Sequence, residues 1–217
     1  MKLKEFVPEL RYLYRNYKDW KSCYEWYKQG YPVPPPQVVK ISTIRQYANA
    51  LKPSVFIETG TLKGDTLAAV REAFDHSYSI ELSDYYYKFA TERFRGDARV
   101  SLVQGDSGQE LGRILSTLTT SCLFWLDGHY SEGNTARGSK DTPVLEELGH
   151  IFKHTCREHV VLIDDARCFT GTNDYPSLDA LRKLIAVHRP EWEFKVSHDV
   201  IRIHRKVDLP TWENPVQ

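Results

Sequence analysis

Residues 55–66 read VFIETGTLKGDT and combine three signals in one short stretch. An apolar run meets the acidic residue Glu58, and a turn with Gly60 and Gly64 leads into a segment typical of a helix. Glycine lets the backbone come close to a ligand and lets the following helix pack behind it. The stretch therefore predicts the first strand–turn–helix unit of an α/β fold that holds a nucleotide-like ligand.

A second acidic residue supports a ligand of this kind. Residues 78–81 read YSIE and predict a strand that ends in Glu81, where a carboxylate can accept hydrogen bonds from a ribose diol. A dinucleotide turn needs Gly-x-Gly-x-x-Gly, but Leu62 stands at the second glycine, which disfavours a nicotinamide oxidoreductase. A nucleoside-bearing cofactor is the leading hypothesis, and a plain strand–turn–helix capped by Asp65 is the alternative.

Composition limits the classes of function. The 217 residues suit one domain, or one domain with a helical extension. Lys+Arg and Asp+Glu both count 29, so no net field attracts nucleic acid or an anionic membrane. No apolar run reaches the ~18 residues of a membrane span, and the first residues lack the apolar core of a secretion signal. The four scattered cysteines show no zinc-site spacing. We therefore expect a cytoplasmic protein without a nucleic-acid partner.

The chain divides into three predicted parts. Residues 1–31 form an aromatic-rich helical extension, 32–206 form the main domain, and 207–217 form a tail. The prolines of 32–36 predict a stiff connector after the first helix, which we place at 4–29. The aromatic face of that helix predicts packing on its own domain or on a sister subunit, which would give a homodimer; a lid over the substrate is the alternative.

Strand and helix signals alternate from residue 55 onward. The predicted strands are 55–57, 78–80, 100–103, 123–126, 160–163, 193–196 and 200–203. The predicted helices beyond the first are 38–51, 65–74, 84–95, 108–116, 143–155 and 177–188. Apolar strands separated by helices are typical of a parallel sheet buried on both faces, and the last two strands lie too close for a crossover helix. We therefore expect an α/β, Rossmann-like, doubly wound fold whose seven-stranded, mostly parallel sheet ends in a C-terminal antiparallel hairpin.

Three aspartates follow the fourth and fifth predicted strands. Asp127 follows the fourth strand, and Asp164 and Asp165 follow the fifth. If these strands are neighbours, the three carboxylates meet at the ligand-binding edge of the sheet. They would repel one another unless protonated or shared by a cation, and oxygen ligands favour a hard ion such as Mg²⁺ or Ca²⁺. The sequence predicts a metal site here, and helix capping by one or two of these acids is the alternative.

His129 lies two residues beyond the first predicted metal ligand. A positioned histidine is a usual base for a hydroxyl proton near neutral pH, although a metal can also lower the pKa of the hydroxyl. His129 is therefore the predicted catalytic base, and metal ligation or hydrogen bonding to substrate are its alternatives. The loop 130–141 is polar and either contacts substrate or is an ordinary solvated loop. Candidate substrate contacts there and beside the acidic pair are Tyr130, Arg137, Lys140 and Arg167; Arg167 alternatively balances the charge of the pair.

The pattern Glu58-x-Gly60-x-x-x-Gly64 resembles motif I of class I S-adenosylmethionine-dependent methyltransferases. The resemblance implies that Glu58 and the glycine turn, including Thr61, face the amino-acid end of the cofactor, and that Glu81 holds its ribose. The segment QGDS at 104–107 corresponds to the place where this class contacts adenine. That position implies cofactor contacts for Asp106 and Ser107, with helix capping as the other reading of Asp106.

The second half is similar to the metal-dependent branch of the class. Catechol O-methyltransferase and the macrocin-type sugar O-methyltransferases carry an Asp after strand four and an acidic or amide pair after strand five. Asp127 matches the first position, and Asp164 with Asp165 matches the pair. The catechol-type enzymes use a lysine shortly after that Asp as base, and none occupies 128–139 here. Across residues 32–204, the segments ETGT, SIEL, QGDS, FWLDGHYS and LIDDAR look like a bacterial family of methyltransferase-like proteins.

These resemblances imply an S-adenosylmethionine-dependent O-methyltransferase assisted by Mg²⁺ or Mn²⁺. Its substrate would be a sugar or another polyhydroxylated small molecule, such as a glycan precursor. Asp127 is expected to contact cofactor and metal and to take part in catalysis with His129. The alternatives are a metal-independent enzyme that uses His129 alone as base, and a non-catalytic binding protein on the same fold.

Overall fold

The computed structural model describes residues 8–128 and 142–207, with side chains from residue 17 onward. Seven helices and seven strands lie in these ranges. The helices are α1 (Pro8–Lys28), α2 (Gln37–Leu51), α3 (Asp65–Val70), α4 (Asp84–Arg93), α5 (Ser107–Leu115), α6 (Val144–Lys153) and α7 (Leu178–His188). The strands are β1 (Val55–Thr59), β2 (His76–Glu81), β3 (Val100–Gln104), β4 (Cys122–Leu126), β5 (Val160–Ile163), β6 (Trp192–Ser197) and β7 (Val200–Arg205).

The seven strands form one sheet in the order β3–β2–β1–β4–β5–β7–β6. Strands β1 to β5 are parallel, and β7 is antiparallel to both β5 and β6. The order in which strands are added to the sheet changes direction at β1. Strands β2 and β3 lie on one side of it, and β4 and β5 lie on the other. In doubly wound sheets, a ligand binds at the carboxyl ends of the strands beside such a switch point.

Both faces of the central strands are covered by helices. Every residue of β1 and β4 is buried. Ile57 and Phe124 pack on one face with apolar residues of α5, α6 and α7. Phe56 and Trp125 pack on the other face with residues of α2 and α3. This two-sided burial explains why these strands are apolar throughout instead of alternating with polar residues.

The predicted fold class is confirmed, and the boundaries differ by a few residues. Each predicted strand is present and equal to or slightly longer than its prediction. The helix predicted at 65–74 ends at Val70 and continues as a 3-10 turn over Arg71–Ala73. The first predicted helix is described from Pro8. Among the described residues, no helix combines the length and apolarity that a membrane span requires.

Candidate functional site

Four strand ends come together at the carboxyl edge of the sheet. Thr59 is in register with Ile80 of β2 and with Leu126 of β4, and Leu126 is in register with Ile163 of β5. The backbone N–H of Asp127 donates to the Thr59 carbonyl oxygen at 3.2 Å. The predicted convergence of strand-end acids at one edge is therefore present in the fold.

The glycine turn after β1 is packed tightly against this edge. Gly60 has φ +81°, and a Cβ placed on it would lie 2.3 Å from the carbonyl oxygen of Asp127. Gly64 has φ +70°, begins α3, and would place a Cβ 2.6 Å from the ring of Phe94. Both glycines thus have a packing reason within the protein itself. The N-cap residue of α3 is Gly64, not Asp65, and no side chain among the described residues caps the start of this helix by a hydrogen bond.

Glu58 starts a buried chain of hydrogen bonds under the turn. Its side chain is almost fully buried, and the hydroxyl of Ser79 donates to its Oε2 at 2.6 Å. The Ser79 oxygen also lies 2.6 Å from Thr61 Oγ1. Burial raises the pKa of Glu58 to about 8, opposed by the Ser79 hydrogen bond and assisted by the charges of Asp127 and Glu81. At neutral pH the carboxyl group therefore carries its proton.

Glu81 is the buried last residue of β2 and closes the same turn. Its Oε2 accepts the backbone N–H of Leu62 at 2.7 Å, and its Oε1 accepts that of Ser83 at 2.7 Å. The residue in the place of the missing second glycine, Leu62, thus binds Glu81 through its backbone. The carboxylate is fixed in orientation at the end of β2, beside the glycine turn.

Two further acids lie at this edge: the half-buried Asp106 at the start of α5 and the buried Glu147 of α6. Asp106 is the N-cap residue of α5, and its Oδ1 accepts the N–H of Gly108 at 2.9 Å, so the capping role is present. Ser107 is buried, and its hydroxyl and that of Thr59 hydrogen-bond to Glu147 of α6. Burial raises the pKa of Glu147 to about 7, against the lowering effect of these two hydrogen bonds. The other carboxyl oxygen, Oε1, has no hydrogen-bond partner among the described residues.

The acidic pair after β5 carries an ion pair that the sequence does not predict. Lys40, near the start of α2, contacts Asp164 Oδ2 with its ammonium group and lies 3.7 Å from Asp165 Oδ1. Burial alone would lower the pKa of Lys40, but the charges of Asp164, Asp127 and Asp165 and the hydrogen bond to Asp164 raise it above its usual value. Burial raises the pKa of Asp164, and Lys40 opposes this shift. Lys40 is therefore an ammonium ion at the edge of the sheet.

Asp165 belongs to a second charged group. It has φ +54°, and its Oδ1 accepts from Arg167 Nη1 at 2.8 Å. The same guanidinium nitrogen contacts Asp199, whose Oδ1 also accepts the backbone N–H of Arg167 at 2.8 Å. This places Arg167 in the charge-balancing position. Its contact with substrate stays a prediction.

The predicted metal ligands are near one another but are not arranged as a metal cage. Asp164 Oδ1 accepts the backbone N–H of Asp165 at 2.9 Å, and Oδ2 is bound to Lys40. In the part of the chain that the structure describes, no group of three or more His, Cys, Asp or Glu side chains could hold a metal ion. His129, Tyr130, Arg137 and Lys140 lie outside the described residues, so their predicted roles stay predictions.

Sequence reasoning misses Lys40 and Glu147, although each leaves a signal. Lys40 precedes the buried residues Thr43, Ile44 and Tyr47 at helical spacing on α2, so a charge stands on a buried stripe. Glu147 interrupts the apolar stripe of α6 in the same way. A charged residue on the inward face of a helix requires a partner or a function.

A small cavity opens beside these groups, between α6 and the ends of β4 and β5. Its wall combines polar and apolar side chains, including Leu126, Thr142, Glu147, Asp164, Phe169 and Tyr175. Convergent polar groups in a partly apolar cleft are typical of small-molecule sites. Leu126 and Gly128 line the cavity, and the carbonyl oxygen of Asp127 between them faces Gly60 of the glycine turn.

No protein-family model matches the chain, and no curated protein matches it in sequence. Many solved structures match its fold. An O-methyltransferase from Bacillus cereus in complex with SAH is 14% identical with a TM-score of 0.58, covering 87% of this chain and 90% of that chain. An SAH-bound methyltransferase from Podospora anserina is 20% identical with a TM-score of 0.57, covering 95% and 100%. The O-methyltransferase TomG from Streptomyces achromogenes, in complex with SAM, is 14% identical with a TM-score of 0.56, covering 88% and 89%. At these identities the likeness establishes the fold alone.

Proposed function

We propose that this protein is an S-adenosylmethionine-dependent O-methyltransferase that acts on a hydroxylated small molecule. The observation that carries the proposal is the placement of Glu58, Glu81 and the Gly60 turn side by side at the carboxyl edge of β1 and β2. That solved structures of the same fold hold SAM or SAH supports this choice of cofactor.

The acids of β1 and β2 fit the two ends of such a cofactor. Each oxygen of Glu81 accepts one backbone N–H, and a carboxylate has about four acceptor positions. Glu81 can therefore still accept from both ribose hydroxyls. Glu58, with Thr61, Gly60 and Gly64 above it, would face the cationic amino-acid end.

The start of α5 fits the adenine. Asp106 uses one carboxyl oxygen, Oδ1, to cap α5, which leaves its second oxygen for the exocyclic amine. Capping and adenine binding are thus compatible roles for the same residue. Ser107 is buried directly behind it and fixes the first turn of α5 through its hydrogen bond to Glu147.

When bound, S-adenosylmethionine supplies the methyl group, which the acceptor oxygen takes with release of S-adenosylhomocysteine. The protein's own contribution is chiefly positioning, because aligned reactants lower the barrier without new covalent chemistry. Asp127 lies between the glycine turn and Asp164 and would contact both sides of the site. The proton of the acceptor hydroxyl has to go to a base, for which His129 stays the prediction.

The predicted Mg²⁺ or Mn²⁺ fits the described side chains poorly. A divalent ion would need Asp164, but Oδ2 of this side chain already contacts the ammonium group of Lys40, whose charge would repel the ion. We therefore favour the metal-independent form of the reaction. Metal assistance, with Asp127, Asp164 and Asp165 as ligands, is the competing form.

The acceptor is proposed to be a sugar or another polyhydroxylated molecule, such as a glycan precursor. Thr142, Tyr175 and Asp164 offer hydroxyl and carboxylate groups along the cavity, while Phe169 offers an apolar wall. Ring sugars present hydroxyl edges and an apolar C–H face, which suits this mixture.

Binding calorimetry tests the proposed cofactor. We expect S-adenosylmethionine to bind and NAD not to bind, because Leu62 occupies the position that a pyrophosphate turn reserves for glycine. Glu81→Ala should weaken S-adenosylmethionine binding by about 1–3 kcal/mol through the loss of charge-assisted hydrogen bonds.

Glu92→Ala is the matched control, because this acid is exposed near the end of α4 and its one ion pair among the described residues is with Arg95, just beyond the helix. It should bind like the wild type. Binding of NAD instead of S-adenosylmethionine would contradict the proposal, and unchanged affinity in a folded Glu81→Ala protein would remove Glu81 from the site. Cofactor binding without methyl transfer to any tested hydroxylated acceptor would favour a non-catalytic binding protein.

A further inference from the structure

We propose that Lys40 is the built-in cation of the acceptor side of the site and takes the place of a divalent metal ion. The inference rests on the proposed function, because only that function identifies this side of the site as the acceptor side. The arrangement of Lys40 and the two acids can be tested independently. Its basis is the buried contact of Lys40 with the two acids that follow β5.

Lys40 lies at the edge of the sheet because α2 packs there through its buried side chains, independently of the charge of the lysine. Ile44 and Tyr47, further along the same stripe of α2, are fully buried against the sheet. At the start of the helix, Gln37 Nε2 donates to Thr66 Oγ1 at 2.8 Å, which ties α2 to α3. The lysine is therefore held over the end of β5 by a rigid element.

The ion pair is shielded from water. The side chain of Lys40 is 14% exposed and that of Asp164 is 0% exposed. Exposed ion pairs contribute little, whereas a buried carboxylate without a counter-charge is strongly unfavourable. Asp164 thus depends on a cation at this place, and the chain supplies one from its own sequence.

A lysine at this place also excludes a metal ion. Asp164 Oδ1 accepts a backbone N–H and Oδ2 contacts Lys40, so a metal ion bound to this carboxylate would lie close to the ammonium group. Two cations at one oxygen repel each other at short range. The two forms of the site are therefore mutually exclusive unless Lys40 moves away.

The ammonium group retains one donor for a ligand. It has three N–H donors, and the described residues give it only Asp164 and Asp165 as partners. The third N–H can donate to the oxygen of an acceptor hydroxyl. Lys40 would thereby hold the acidic pair and the acceptor oxygen together, as a bound ion would.

A titration with Mn²⁺, followed by electron paramagnetic resonance, tests this inference without an acceptor. The purified full chain is compared with the variants Lys40→Met, Lys40→Arg, Asp164→Asn and Lys40→Met/Asp164→Asn. We expect no tight binding to the wild type or to Lys40→Arg. Lys40→Met exposes the acids and should bind Mn²⁺ at least about tenfold more tightly, a difference of about 1.4 kcal/mol. The double variant should lose that gain.

Lys88→Met is the matched control, because Lys88 forms an exposed pair with Asp84 on α4. It should bind Mn²⁺ no better than the wild type. The inference is overturned if the wild type binds Mn²⁺ and Asp164→Asn abolishes that binding, or if Lys40→Met melts cooperatively and gains nothing. If Lys40→Met does not fold, the wild type and Lys40→Arg still decide the question.

S-adenosylmethionine calorimetry on the same samples separates this inference from the proposed function. A wild type that binds neither S-adenosylmethionine nor Mn²⁺ would contradict the proposed cofactor and leave the role of Lys40 supported. A wild type that binds S-adenosylmethionine and also binds Mn²⁺ through Asp164 would support the proposed cofactor and overturn the role of Lys40.

Discussion

At the scale of single residues, Glu58 is an acid that the fold keeps uncharged. It lies next to the last residue of β1, accepts a hydrogen bond from the Ser79 hydroxyl, and is shielded from water by the turn above it. Its pKa of about 8 follows mainly from this burial. An acid in this state is ready to ionise when a cation is bound beside it.

Binding of S-adenosylmethionine should therefore release a proton from Glu58. In the free protein Glu58 carries its proton below about pH 8. The α-ammonium group at the amino-acid end of the ligand favours the carboxylate and therefore lowers the pKa of Glu58. Affinity should rise with pH up to about pH 8 and then level off. Calorimetry at pH 7, in buffers of different ionisation enthalpy, should show about one more proton released by the wild type than by Glu58→Gln.

Glu72→Gln is the control for this measurement, because Glu72 is exposed and its one ion pair within the described part of the chain is with its neighbour Arg71. It should release as many protons as the wild type. Equal proton release by the wild type and Glu58→Gln would show that Glu58 does not face the cationic end.

The residues that sequence reasoning finds and those that it misses differ in how their contacts are made. Glu58 lies next to the end of β1 and Glu81 ends β2, and these consecutive strands are parallel neighbours, so local pattern is enough to bring the two acids together. Lys40 and Asp164 are separated by 124 positions, and their contact depends on where α2 packs on the sheet. The sequence predicts that the acids after β4 and β5 follow neighbouring strands, which they do, but it offers only a metal ion as their counter-charge, because only the tertiary fold reveals Lys40.

At the scale of elements, the turn between β1 and α3 joins the proposed cofactor side to the proposed acceptor side. Gly60 is in van der Waals contact with the end of β4, because its missing side chain leaves room for the carbonyl of Asp127. The N–H of Gly60 donates to the Ile80 carbonyl of β2 at 3.0 Å. One glycine thus fixes the spacing between three strand ends.

Gly60→Ala should destabilise the fold more than Gly96→Ala does. The two glycines have nearly the same φ, +81° and +82°, so the cost of the backbone conformation, about 1–2 kcal/mol, is common to both. A Cβ at Gly96 meets nothing within 4 Å, whereas one at Gly60 meets backbone at 2.3 Å. Overpacking should add about 1–3 kcal/mol at Gly60.

Urea unfolding of both variants measures this difference in the free energy of unfolding. The Gly60→Ala protein should also bind S-adenosylmethionine more weakly, because the strand ends are forced apart. Equal stability of the two variants would mean that the turn can move away from β4 without cost.

The elements themselves follow largely from local pattern. Buried parallel strands are continuously apolar, which explains why β1, β4 and β5 are predicted within one or two residues. The end of α3 is harder to predict, because Arg71 leaves the helix to pair with Asp97, a residue outside the local sequence. The last turn of a helix is often a 3-10 turn, so the final residues are the hardest part of a helix to predict.

At the scale of the whole molecule, the sheet brings groups from both helical layers to one edge. Lys40 comes from α2 on one face of the sheet, and Glu147 comes from α6 on the other. Both reach the end of β5 near Asp164, one by an ion pair and one across the cavity. The side chains of the proposed acceptor side therefore come from several elements of the fold, not from a single motif.

The N-terminal helix α1 keeps its predicted aromatic character. Its side chains Tyr17, Trp20 and Tyr24 are exposed and stack on one another, while Trp26 packs edge-on against His198 of the β6–β7 turn. The end of the helix therefore packs on its own domain. A homodimer formed through the exposed rings stays a prediction.

The central claim is that S-adenosylmethionine or its product lies along the carboxyl edge of β1, β2 and β4. A crystal structure of the protein grown with S-adenosylhomocysteine tests it most directly. We predict electron density for a nucleoside with both ribose hydroxyls on Glu81, its adenine near Asp106 and its amino-acid end over Glu58. Density for the ligand away from Glu81 would contradict this position of the cofactor. So would the absence of ligand density under conditions where calorimetry shows saturation.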